Sequence, residues 1–107
     1  MKMMTNEDRQ IVVAFDVDGT LITEEGFGNE KPRYSIINLL LIFHALGHIV
    51  FVWSGGGIDY AQRWVEKLGL QDKCKVIEKG SAKVDIAFDD CEASLGKVDV
   101  CVKKKLF

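Results

Sequence analysis

Two aspartates, Asp16 and Asp18, stand two residues apart just after the apolar run IVVAF at 11–15, and two more, Asp89 and Asp90, follow the run VDIAF at 84–88. If the backbone stays extended past the first run, residues two apart lean the same way, so Asp16 and Asp18 would share a side. If Asp89 or Asp90 arrives on an adjacent strand, at least three carboxylates meet at one edge. They cannot all stay ionised at close range without a cation or strong shifts in acidity. A hard divalent cation resolves this, and Mg²⁺ takes one or two carboxylates together with waters and phosphate oxygens. Ser54 follows a third run, HIVFVW at 48–53, and opens Ser54-Gly55-Gly56-Gly57. Its hydroxyl, the glycine N–H groups and the start of the helix expected near Ile58 would suit an anion. A lysine, either Lys79 or Lys83, would neutralise a remaining phosphate oxygen. Together these residues read as a Mg²⁺ site that receives a phosphoryl group, with one carboxylate as nucleophile and a second as acid and base.

The elements that would position these groups follow from pattern. The β-branched runs at 11–15 and 48–53 suit strands buried on both faces. The segment 34–46 has helical length, with Pro32 suited to its first turn and Gly47 to its end. Ile58, Ala61, Trp64, Val65 and Leu68 line one face of an amphipathic helix that Gly69 stops. Shorter strands are expected at 74–77, 84–88 and 98–102. Alternating strands and helices predict an α/β fold with a mainly parallel sheet, Rossmann-like, with helices on both faces. Ligands in such sheets bind beyond the carboxyl ends of the strands, where Asp16, Asp18, Ser54, Lys79, Asp89 and Asp90 all fall.

Composition narrows the class. A chain of 107 residues with 48% apolar residues is one domain's worth and no disordered segment. A net charge of −2 argues against binding nucleic acid through the whole surface. Cys74, Cys91 and Cys101 are an odd count with no CxxC spacing, which reads as reduced thiols in a cytoplasmic protein rather than as disulfides or a zinc site. The N-terminus MKMMTNEDRQ has mixed charge and lacks the apolar stretch of a signal peptide. No apolar stretch approaches the roughly 20 residues that span a bilayer.

These residues carry a resemblance. DVDGT at 16–20 after an apolar strand resembles the first motif of the haloacid dehalogenase superfamily of phosphatases. Ser54 after HIVFVW is similar to the second motif, and Asp89-Asp90 after VDIAF to the fourth. The resemblance implies a Rossmann-like three-layer sandwich with the first strand central. It implies Asp16 as nucleophile and Asp18 as general acid/base, with Ser54 and Gly55 binding the phosphoryl group. It implies Mg²⁺ held by Asp16, the backbone carbonyl of Asp18 and an acid of the Asp89-Asp90 pair. The motif lysine is Lys79 or Lys83. Lys79 ends the third strand on the active-site side, whereas Lys83 precedes the fourth strand, at the opposite end of the sheet if that strand is parallel. The connection from Lys79 to Val84 is short for a parallel crossover.

About a dozen residues, 21–33, separate the first motif from the first helix, enough for a flap and too few for a cap domain. The expectation is a single capless domain over 1–107 with an open site. Apolar residues surround nearly the whole helix 34–46, which points to a homo-oligomer packed through it. His44 and His48 read as structural, Lys31 and Arg33 as a solvated loop, Asp59 as a first-turn aspartate favourable to the helix dipole, and Lys103–Lys105 as a solvated tail. Tyr60 stays open as a group facing the substrate. The competing functional class is a non-enzymatic phospho-acceptor or phosphate-binding module of the receiver type. A receiver, however, places its phospho-acceptor after the third strand, not the first.

Overall fold

A computed structural model describes residues 10–26, 28–91 and 93–103. The mixed-charge N-terminus and most of the lysine tail lie outside the described residues. Five strands, β1 (Val12–Asp16), β2 (Ile49–Trp53), β3 (Lys75–Val76), β4 (Val84–Asp89) and β5 (Gly96–Cys101), form one sheet in the order β3-β2-β1-β4-β5. Every pairing is parallel, and β1 is central as expected. Helix α1 (Tyr34–Ala45) joins β1 to β2, and helix α2 (Ile58–Lys67) joins β2 to β3.

The register shows where the core sits. Val13 pairs with Val50 and Phe15 with Val52, and both pairs share one face with Phe88. Ile36, Ile37 and Leu40 of α1 and Ala61 and Val65 of α2 pack into that same cluster. Phe43 of α1 reaches over to the stacked rings of Phe15 and Phe88. Both helices therefore cover one face. This corrects the expectation of helices on both faces and of three layers. Two right-handed crossovers that step the same way along a sheet put their helices on the same side. The reverse step, from β3 at one edge across to β4, has only residues 77–83. Seven extended residues reach about 24 Å, enough to cross a sheet face but not to form a helix on the way. Ile77 and Leu95 pack against Ala14, Trp53 and Ala87 on this second face. The short connection is the cause, and the strand before it, β3, is only Lys75 and Val76.

Pro32 also sits differently from expectation. It forms an antiparallel bridge with Ile22 two residues before α1 begins. Thr23 N–H donates to the Lys31 carbonyl at 2.9 Å, and Lys31 N–H to Thr23 Oγ1 at 2.9 Å. The described residues of 21–33 thus fold back as a flap. Leu39, Ile42 and Leu46 remain exposed on the outer side of α1. Among the described residues, no helix is long and apolar enough to cross a membrane.

Candidate active site at the carboxyl edge of the sheet

The central strand ends on Asp16, which is buried, and the chain turns at once. The N–H groups of Thr20, Leu21 and Ile22 all donate to the Val17 carbonyl, at 3.0–3.2 Å. Gly19 makes this turn with φ +75°, and a Cβ there would lie 2.7 Å from the Asp90 Cβ. The DVDGT turn therefore needs glycine for its backbone and for the approach of Asp90. Arg33 braces the turn from the flap, donating from Nη1 to the Gly19 carbonyl at 2.6 Å and from Nη2 to the Lys103 carbonyl at 2.7 Å. This corrects the reading of Arg33 as a solvated loop residue. Its signal is tertiary: residues 19 and 103 are brought together only by the folded sheet.

On the neighbouring strand, Ser54 is buried directly after β2. Its Oγ accepts the Gly56 N–H at 3.0 Å, and its carbonyl accepts the Gly57 N–H at 3.1 Å. The hydroxyl keeps its own proton to donate. Gly55 is exposed beside it, and α2 starts at Ile58. Tyr60, in the first turn of α2, donates its hydroxyl to Asp18 Oδ1 at 2.6 Å. Burial first, and then Asp18, push the Tyr60 hydroxyl up to about 12. The sequence leaves Tyr60 open as a group facing the substrate; its tie to Asp18 depends on how α2 lies against the first motif.

Of the two lysines, Lys79 is the one that reaches the acids at this edge. Its Nζ lies 3.2 Å from Asp16 Oδ1 and 2.8 Å from Asp89 Oδ2. Lys83 is exposed and precedes β4, at the far end of the sheet. Burial works against the Lys79 charge, but Asp89 and Asp16 outweigh it and hold the ammonium above its ordinary range.

Two carboxylates, Asp16 and Asp89, meet this one ammonium, and Asp90 follows Asp89 directly. Burial, and then the Asp89 charge, raise Asp16 to about 6, with Lys79 offsetting part of the rise. Asp90 rises to about 7 through burial, then through its contacts with Glu24 and Asp89. Burial opposes the charge on Asp89, yet Lys79, Cys91 and Asp90 hold it below the ordinary carboxylate range. Cys91 donates to Asp89 Oδ1 through both its N–H, at 3.2 Å, and its thiol, at 3.1 Å. Asp89 is buried, and its Oδ2 lies 2.8 Å from the Lys79 ammonium. One positive charge is too few for this set. Carboxylate oxygens of the kind Asp16, Asp89 and Asp90 carry could hold a hard divalent cation. Oxygen atoms of Asp89 and Asp90 and the Cys91 sulfur lie within 4.8 Å of one another.

Two clefts open onto this edge. One, of about 530 Å³, is lined by Asp18, Glu24, Gly26, Glu30 and Tyr60. The other, of about 310 Å³, runs along residues 56–59 and Glu78. Away from the site, His48 Nδ1 accepts the Ile11 N–H at 3.1 Å, the structural role expected of it.

A family model described as "Protein of unknown function (DUF705)" matches residues 2–103. The chain belongs to that family. No curated protein and no solved structure matches it. Family membership brings no activity with it, so the function has to be read from the carboxyl edge of the sheet.

Proposed function

We propose that the protein is a Mg²⁺-dependent phosphohydrolase of the haloacid dehalogenase type, acting on a phosphate monoester through an aspartyl-phosphate at Asp16. The observation that carries this reading is Lys79 Nζ poised between Asp16 and Asp89 at 3.2 and 2.8 Å, beside Ser54 and the glycine turn on the next strand. An Asp16 carboxylate oxygen attacks phosphorus as the bond to the leaving oxygen breaks. Asp18 gives that oxygen a proton. Water then attacks the phosphoryl group and gives a proton to Asp18, the bond from phosphorus to the Asp16 oxygen breaks, and phosphate leaves with the Asp16 carboxylate restored. Ser54 and the Gly55 N–H hold the phosphoryl oxygens, and Lys79 balances their charge. Asp16, Asp89, Asp90 and the Asp18 carbonyl would hold Mg²⁺, which supplies charge neutralisation at the transferring group.

A receiver-like module would carry its phospho-acceptor after the third strand, whereas Asp16 and Asp18 follow the first. Hydrolysis of p-nitrophenyl phosphate separates the two. The expected result is turnover that chelation stops, Mg²⁺ restores and Asp16→Asn abolishes; no turnover with Mg²⁺ present would sink the enzyme reading. The thiols of Cys74, Cys91 and Cys101 are free, which supports a reducing compartment such as the cytoplasm. The exposed Leu39, Ile42 and Leu46 support self-association through α1.

A further inference from the structure

We propose that Tyr60 is a positioning residue for the proton transfer assigned to Asp18, fixing one carboxylate oxygen so that the other faces the leaving group. This inference rests on the phosphohydrolase reading above.

A carboxyl group on a turn can rotate, and a general acid must bring one oxygen within hydrogen-bond reach of the atom it protonates. Tyr60 removes that freedom. Its hydroxyl donates to Asp18 Oδ1 at 2.6 Å, the usual length of a charge-assisted O–H bond to a carboxylate. The ring is itself held in place. A Cβ on Gly56 would lie 3.1 Å from the ring, and the Arg63 guanidinium stands 5.9 Å from its centroid. Gly56 in turn gives its N–H to Ser54 Oγ at 3.0 Å. One packed side chain therefore links the acid of the first motif to the serine turn that would hold the phosphoryl group.

The space beside the pair has room for a leaving group. Asp18 and Tyr60 both line the cleft of about 530 Å³, together with Glu24, Gly26 and Glu30 of the flap. As the phosphorus–oxygen bond breaks, the leaving oxygen gains an electron pair and takes the proton from Asp18. With Oδ1 accepting from Tyr60, the transferable proton sits on Oδ2. Tyr60 keeps its own proton throughout and is not consumed. A misplacement of about 1 Å in such a group costs on the order of 10²-fold in rate. The cost falls on esters whose leaving groups need the proton and spares those that depart readily as anions.

The test is a leaving-group series, from p-nitrophenyl phosphate to phenyl phosphate, measured with Mg²⁺ on wild type, Tyr60→Phe and Asp18→Asn. The phenylalanine keeps the ring and its packing and loses only the hydroxyl. Tyr60→Phe should lose about tenfold to a hundredfold in kcat on phenyl phosphate and less than about threefold on p-nitrophenyl phosphate. Asp18→Asn should steepen the same dependence further. A uniform loss across the series in Tyr60→Phe, or no loss while Asp18→Asn steepens the slope, would overturn the positioning role and leave the phosphohydrolase reading standing. An unchanged slope in Asp18→Asn would overturn the proton-transfer assignment itself, and the role of Tyr60 with it.

Discussion

At Asp16 burial, a neighbouring carboxylate and a lysine compete, and their balance makes acidity a measurable property of the site. Asp16 near 6 and Asp90 near 7 both sit above the ordinary carboxylate value of 3.8. A group whose folded value is raised gives stability that is present below its unfolded value and lost as pH rises through the folded one. Asp89 is depressed and Lys79 raised, so both are already ionised from pH 5 to 8 and add no slope there. The metal-free protein should therefore melt at a lower temperature at pH 8 than at pH 5, and Mg²⁺ should raise the melting point more at pH 8. A metal-free melting temperature that stays level or climbs over that range would contradict the crowding of these acids. Lys79→Ala should reduce turnover far more than Lys83→Ala, because only Lys79 reaches Asp16 and Asp89. Steady-state kinetics of the two variants decides this, and the reverse ranking would move the motif to Lys83. Gly19→Ala should cost about 1–3 kcal/mol from its left-handed backbone alone. It should also push Asp90 aside, read as a lower denaturation midpoint with weaker Mg²⁺ binding.

At the scale of elements, β1, β2 and β4 were legible because largely buried, β-branched runs followed by Asp or Ser have few other readings. The residues named at those ends, Asp16, Asp18, Ser54, Lys79, Asp89 and Asp90, all arrive at one edge. What the sequence hid was set by partners far along the chain. Arg33 looks like a loop cation until the fold lays it across Gly19 and Lys103. Tyr60 counts as one residue of a helical turn until α2 swings it onto Asp18. The missing third layer is a matter of length: seven residues between β3 and β4 cross the sheet without a helix, a consequence the short connection signalled but did not specify. Arg33→Ala should loosen the first-motif turn. Hydrogen exchange at the N–H groups of Thr20, Leu21 and Ile22 should speed up, with a loss of about 1 kcal/mol for a partly exposed charged donor. Unchanged exchange there would show that the turn holds itself.

For the whole molecule, helices on a single face leave the exposed Leu39, Ile42 and Leu46 of α1 without a covering layer among the described residues. Sedimentation at micromolar concentration should show a species larger than the 12.0 kDa chain, and Ile42→Asp should dissociate it. A wild-type monomer would rule out packing through this helix. The central claim concerns the edge at which β1, β2 and β4 end together: that their residues form one phosphoryl-transfer site with Asp16 as the attacking group. Acid-quenching the Mg²⁺-loaded protein during turnover of p-nitrophenyl phosphate, followed by peptide mass mapping, tests it most directly. The expected result is one base-labile phosphoryl group, on Asp16. Turnover with the group on another residue, or with none on Asp16 at any quench time, would contradict it.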